Sequence, residues 1–301
     1  MPTKKKDKLR WQRSAKTSLY FLLYRLLHVL GCFFMLIISL GNIGRDTKPL
    51  HYHLKYPCYL THWGIVLCDI QSVLALILVG RRLHLDRQFG NNAADRHLQN
   101  PVKMNCLTKT YWLTNTLATV SSIIITCCYW SLIFDANRCR AKKLAELLYI
   151  NLHPDLTADL LDPRLEETTC EDDSLDFITV TIHIFNFILM MIDFIVVAHP
   201  FRFLHIFWSM LMAAVYELFS WVYFMAGGTG RELLPFLYPT LDWRKPFISL
   251  GYCAVGILTY AMVHILVFFM SWTKRKLYIK IVQPPSPNPI QSSLLSINAM
   301  I

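Results

Sequence analysis

The chain has 301 residues, 54% of them apolar and only 17% charged, with a mean hydropathy of +0.36. Soluble domains carry about 25% charged residues, so this balance excludes a disordered chain and argues against an ordinary soluble enzyme. The formal charge of +10 fits a polyanionic partner, a membrane surface, or charge sorted between membrane loops, and its distribution along the chain has to decide.

Residues 1–17 form a basic segment holding Lys4, Lys5, Lys6, Lys8, Arg10, Arg13 and Lys16. Six apolar runs follow, at about 19–40, 59–79, 112–133, 177–198, 203–226 and 247–271, each near the roughly 20 residues that cross a bilayer as a helix. The expectation is an all-α integral membrane bundle of six transmembrane helices over 18–272. The first run is too long for a signal-peptide core and lacks a small-x-small cleavage site, so it reads as a retained signal anchor. The N-terminal segment, the second and fourth loops and the tail carry 18 of the 30 Lys and Arg, which sends both termini to the cytoplasm. Arg138, Arg140, Lys142 and Lys143 run against that pattern. They open the loop 136–176, read as outer, which turns acidic at Glu166, Glu167, Glu171, Asp172 and Asp173. A short helix is expected near 141–150, and the proline-containing tail 273–301 is expected to be disordered. Trp63, Trp130 and Trp221 near outer ends, and Trp112, Trp208 and Trp272 near inner ends, suit the headgroup level.

The nine cysteines form no CxxC, and five of them (Cys32, Cys68, Cys127, Cys128 and Cys253) lie in apolar runs, where cysteine acts as a small hydrophobe. Cys139 and Cys170 share one polar loop and could pair if it faces an oxidising space.

Ionisable groups inside spans are the functional candidates. They are Arg25 in span one, Asp69 in span two, Asp193 in span four and Glu217 in span five. Arg25 sits near enough to the inner end to snorkel to the headgroups; if it turns inward instead, it is the only Arg or Lys well inside a span and cannot serve every acid. His183, Asn186, Met190 and Asp193 share one face of span four, and Asn115, Thr119, Ser122 and Thr126 one face of span three. Thr61, Cys68 and Ser72 share a face of span two, flanked by Asp69 and Gln71. Interhelical hydrogen bonding, at roughly 1 kcal/mol per contact, is the plain reading of such stripes. Thr61 and His183 fall at the same end of their spans and at similar depth, where a hydroxyl and an imidazole could act as nucleophile and base.

There is no GxSxG, HExxH, Walker A or Rossmann pattern, and no metal or cofactor is implied. His51 and His53 make only an isolated HxH. Basic residues alternate with spans instead of forming one patch, which removes the case for nucleic acid.

Several segments resemble the rolling stone family of multi-pass membrane proteins: YPCYLTHWG (56–64), HIFNFILMMIDFIVVAHPFRFLH (183–205), YELFSWVYFMAGGTG (216–230) and LYPTLDWRKP (237–246). The resemblance covers most of 18–272. It implies a plasma membrane protein acting in cell fusion during myogenesis, with the bilayer and other membrane proteins as partners; the charge pattern itself fits the endoplasmic reticulum equally. The family is also distantly similar to the androgen-induced membrane hydrolases, which cleave fatty acid esters with a threonine and a histidine. Carried over, that likeness implies Thr61 as nucleophile, His183 as base and a lipid ester as substrate; Asn186 and Asp193, which share the face of His183, would then be orienting or structural groups.

Overall fold

A computed structural model describes residues 18–43, 49–89, 105–133, 177–197, 199, 201–231 and 233–282. The basic N-terminal segment, the acidic loop with Cys139, Cys170 and the expected helix at 141–150, and the end of the tail lie outside the described residues. Within them the fold is all-α. Its six long helices are α1 (Leu19–Gly41), α2 (Leu60–Phe89), α3 (Cys106–Cys128), α4 (Phe177–Val196), α5 (Ile206–Met225) and α6 (Pro246–Val282). All six are long and apolar enough to cross a membrane.

Local chemistry sets the ends. The Ser18 side chain accepts from the Tyr20 amide and caps α1, which closes on Asn42 in the left-handed conformation. The Asn105 side chain accepts from the Thr108 amide, so α3 starts at Cys106, earlier than the apolar run that begins near 112. Hydropathy missed this turn because Thr108, Lys109 and Thr110 are polar, whereas a cap responds to the residue before them. Pro246 opens α6, where its fixed φ suits the first turn. That helix runs on to Val282, past the expected end of the span, and stops just short of Pro284.

The helix α3 is the axis of the bundle. It packs against α2, α4, α5 and α6. It is the least apolar span, with a mean hydropathy of 1.2, and also the most buried, whereas the more apolar α1 and α6 (2.2 each) are mostly exposed. A bilayer produces this inversion, because lipid accepts apolar faces and rejects unpartnered polar ones. The resulting core lies on two sides of α3. Cys32, Met35, Cys68, Ala118 and Met190 join it to α1, α2 and α4. Val120, Ile123, Ile124, Ala213, Tyr260 and Val267 join it to α5 and α6.

The two ends of the bundle differ. At the end holding the start of α1 and the end of α6, Lys274 of α6 donates to the carbonyls of Phe194 and Val197. At the opposite, distal end, the segment between α1 and α2 folds against the segment between α5 and α6. Lys55 Nζ donates to Thr229 Oγ1 (2.6 Å) and to the Gly230 carbonyl (2.7 Å). The Arg231 guanidinium lies over the rings of Tyr52 and Tyr59, and its amide donates to the Tyr59 hydroxyl. A Cβ on Gly230 would meet the Phe236 carbonyl oxygen at 2.5 Å, so only glycine fits that crossing.

A buried polar column as candidate functional site

Arg25 turns into the bundle and does not snorkel. It is 2% exposed, and its guanidinium meets Asp193 Oδ1 at 2.6 Å. Snorkelling loses because a counter-ion on α4 stands at the same depth, and a paired charge needs no route to water. The Asp193 carboxylate also accepts from the Tyr24 hydroxyl (2.8 Å) and from Gln71 Nε2 (2.9 Å). Gln71 Nε2 donates as well to Asn115 Oδ1 (3.1 Å), and a second Arg25 nitrogen faces the Tyr111 hydroxyl at 3.4 Å. One carboxylate thus ties together α1, α2, α3 and α4. The rings of Phe21 and Tyr24 lie against the guanidinium, 5.3 and 5.5 Å from it.

Along α4 the expected stripe is buried throughout: His183, Asn186, Met190 and Asp193 are all enclosed. Asp193 and His183 stand about 15 Å apart along the helix axis. Between them, Cys68 Sγ contacts Asn186 Oδ1 at 3.2 Å. At the distal level the His183 ring stacks on Tyr129, with centroids 3.6 Å apart and planes 9° apart. Both residues lie in π-helical turns, Tyr129–Ile133 and Thr181–Phe185. Such one-turn bulges gather at functional sites. Thr126 Oγ1 donates to the His183 carbonyl, which the wider turn leaves available.

The remaining candidates stand apart from this column or at its edge. Thr61 is half-buried at the start of α2, on the side of Tyr238, whose phenol burial pushes up to about 12. Its neighbour His62 is buried and lies against the Tyr56 ring, with centroids 3.7 Å apart. Asp69 is buried against α1, and neither carboxylate oxygen has a partner among the described residues. Glu217 faces Gly256 of α6, whose missing side chain makes its room: a Cβ there would lie 2.6 Å from Oε1. The span-three stripe is divided: Thr119 donates to the Asn115 carbonyl and Ser122 to the Thr119 carbonyl within the helix, whereas Asn115 and Thr126 bond α2 and α4.

Four participants were not singled out from the sequence. Tyr24 and Tyr111 read there as apolar ring residues, although Tyr24 adjoins Arg25. His28 follows Arg25 by three residues, on the same face, a spacing that could have exposed it; it is buried with its ring 6.0 Å from that of Tyr24, and neither ring nitrogen has a hydrogen-bond partner among the described residues. His264 is fully buried in α6, with Nδ1 3.0 Å from Ser209 Oγ and Nε2 3.2 Å from the Arg202 carbonyl. It makes a second polar tie, between α5 and α6. Among the described residues no group of His, Cys, Asp and Glu is placed to hold a metal ion.

Six apolar helices closed around an ion pair and its hydrogen bonds define a multi-pass membrane protein. Residues 169–287 match the protein-family model described as "Rost: Protein rolling stone". Over 239 residues the chain is 26% identical to Protein rolling stone of Drosophila melanogaster, covering 78% of this chain and 70% of that protein. The chain is thus similar to the rolling stone family, through the model over 169–287 and more widely through this relative. No solved structure matches the chain.

Proposed function

We propose that this chain acts at the plasma membrane in cell fusion during myogenesis, as its family resemblance implies, with both termini in the cytoplasm and the distal end outside. The observation that carries this reading is the family match through α4, α5 and α6, the region that supplies Asp193 to the central ion pair. The intramembrane charges of that pair are spent on helix–helix contacts, which suits a protein whose work is done by its assembled shape. Deleting the protein from fusing cells that express it, then restoring it at matched surface levels, tests the reading. The expected result is a lowered count of multinucleate cells, recovered with the wild type. Normal fusion in the deleted cells would contradict it.

A second reading is a membrane lipid ester hydrolase with Thr61 as nucleophile and His183 as base. It is supported by the position of both near the distal ends of their helices, Thr61 at the start of α2 and His183 in the first turns of α4. On this reading a fluorophosphonate probe labels purified protein, Thr61→Ala abolishes the labelling, and His183→Ala lowers it. Equal labelling of all three forms would end it.

A further inference from the structure

Among the four ionisable side chains singled out inside the spans, Glu217 is the one that reaches the outside of the bundle. Arg25, Asp69 and Asp193 are buried, whereas Glu217 is partly exposed on the flank of α5. It stands eleven residues after the start of α5 at Ile206 and eight before its end at Met225, so about 16 and 12 Å from the two ends at 1.5 Å per residue. That is near the middle of a hydrocarbon core about 30 Å thick. Its carboxyl has no hydrogen-bond or ion-pair partner among the described residues.

The seam between α5 and α6 leaves this group open. Oε1 lies over Gly256 of α6, where a Cβ would stand 2.6 Å away, so the glycine makes a notch beside the carboxyl. The polar neighbours do not close it. Tyr260 turns its hydroxyl to Ser121 of α3, 3.4 Å away, and the Ser220 hydroxyl serves the backbone carbonyl of Glu217. Trp221, one turn after Glu217, and Tyr252, one turn before Gly256, are 44% and 49% exposed. That spacing puts each on the same side of its helix as the notch, so the two rings flank the opening.

A carboxyl facing hydrocarbon is costly unless a partner meets it. The described spans do not supply the counter-charge. Arg25 is the only Arg or Lys well inside a span, and Asp193 already holds it. A second copy brings the same occupied guanidinium, so the complementary charge has to come from a different membrane protein. We infer that the α5–α6 seam docks a transmembrane helix of another protein, with a basic side chain at mid-membrane depth paired with Glu217 beside Gly256. This rests on the six-span arrangement and on neither functional reading above.

The test uses the full chain in phosphatidylcholine nanodiscs and a synthetic helix of about 20 leucine and alanine residues, with one central lysine and a diazirine-bearing leucine one turn from it. The same peptide with leucine in place of the lysine is the reference. Crosslinking about tenfold above the reference is expected, as for an interhelical polar contact, with adducts mapping to 214–221 and 252–259. Glu217→Gln should lose most of the preference for lysine, and Glu217→Leu all of it. Because the carboxyl has no internal partner, Glu217→Leu should unfold at a temperature no lower than the wild type. Equal crosslinking by the two peptides, a lysine preference that survives in Glu217→Leu, or a lowered unfolding temperature in that variant would each overturn the proposal. So would wild-type dimers in nanodiscs that Glu217→Leu abolishes, since they would give the seam to a second copy.

Discussion

At the residue scale, the side chains that could be found from the sequence were those whose presence in an apolar run needs a reason. Asp193 and Arg25 stood out because a charge in hydrocarbon must be paired or carried to water. Their pairing with each other did not stand out, because three acids, Asp69, Asp193 and Glu217, competed for one guanidinium and only the packing of α1 on α4 selects among them. Tyr24 and Tyr111 were invisible for the opposite reason, since a tyrosine looks at home in a membrane span until its hydroxyl is seen to reach a charge. His199, just beyond α4, carries a prediction of its own. It packs against the rings of Tyr111, Trp112 and Phe201, and burial pushes its imidazole down to about 3. The folded state thus prefers the neutral ring, while in the unfolded chain histidine titrates near about 6.5. The unfolded chain takes up the proton first as pH falls, so this contribution to stability is present above about pH 6.5 and is lost on acidification. The melting temperature in detergent should fall as pH is lowered below about 6.5, and His199→Phe should flatten that dependence. An unchanged slope in the variant would refute the assignment.

At the element scale, the number and approximate position of the six helices were legible, because length and apolar composition are what a bilayer demands. The arrangement was not. The central place of α3 could be suspected only from its many threonines and serines, and most of these turned out to bond their own backbone. The π turns at 129–133 and 181–185 left no trace in the hydrophobic pattern, since one extra residue per turn barely alters an apolar run. Close approach was equally hidden. Gly64 of α2 faces α3, and a Cβ there would lie 2.3 Å from Ile125 Cδ1 but 3.8 Å from Cγ1. Gly64→Ala should therefore destabilise the bundle by about 1–3 kcal/mol, the usual range for overpacking. Ile125→Val removes the clashing methyl and should restore most of that loss in the double variant. Thermal unfolding of the purified variants measures both effects, and failure of the second change to compensate would mean that α2 and α3 do not meet at this point.

At the scale of the whole molecule, six helices apolar enough to cross a membrane and an inside-out distribution of polarity agree with each other and with the composition. The charge of +10 reads as sorting between loops. The described contacts place the start of α1 and the end of α6 together, because Arg25, Asp193 and Lys274 gather at one end of the bundle. Epitope tags at the two termini should accordingly become accessible under the same selective permeabilisation, with a tag inserted near residue 160 reporting the opposite side. Termini on opposite sides would break the six-span arrangement.

The central claim is that α1, α2, α3 and α4 are assembled around the Arg25–Asp193 pair. A double-mutant cycle with Arg25→Met and Asp193→Leu, read by unfolding in a lipid-like detergent, tests it most directly. Each single change leaves a buried charge or its hydrogen-bond donors without a partner and should cost about 3 kcal/mol or more. The double variant should be more stable than the sum of the single losses predicts, with a coupling of about 1–3 kcal/mol. Losses that add to within about 0.5 kcal/mol would contradict the account.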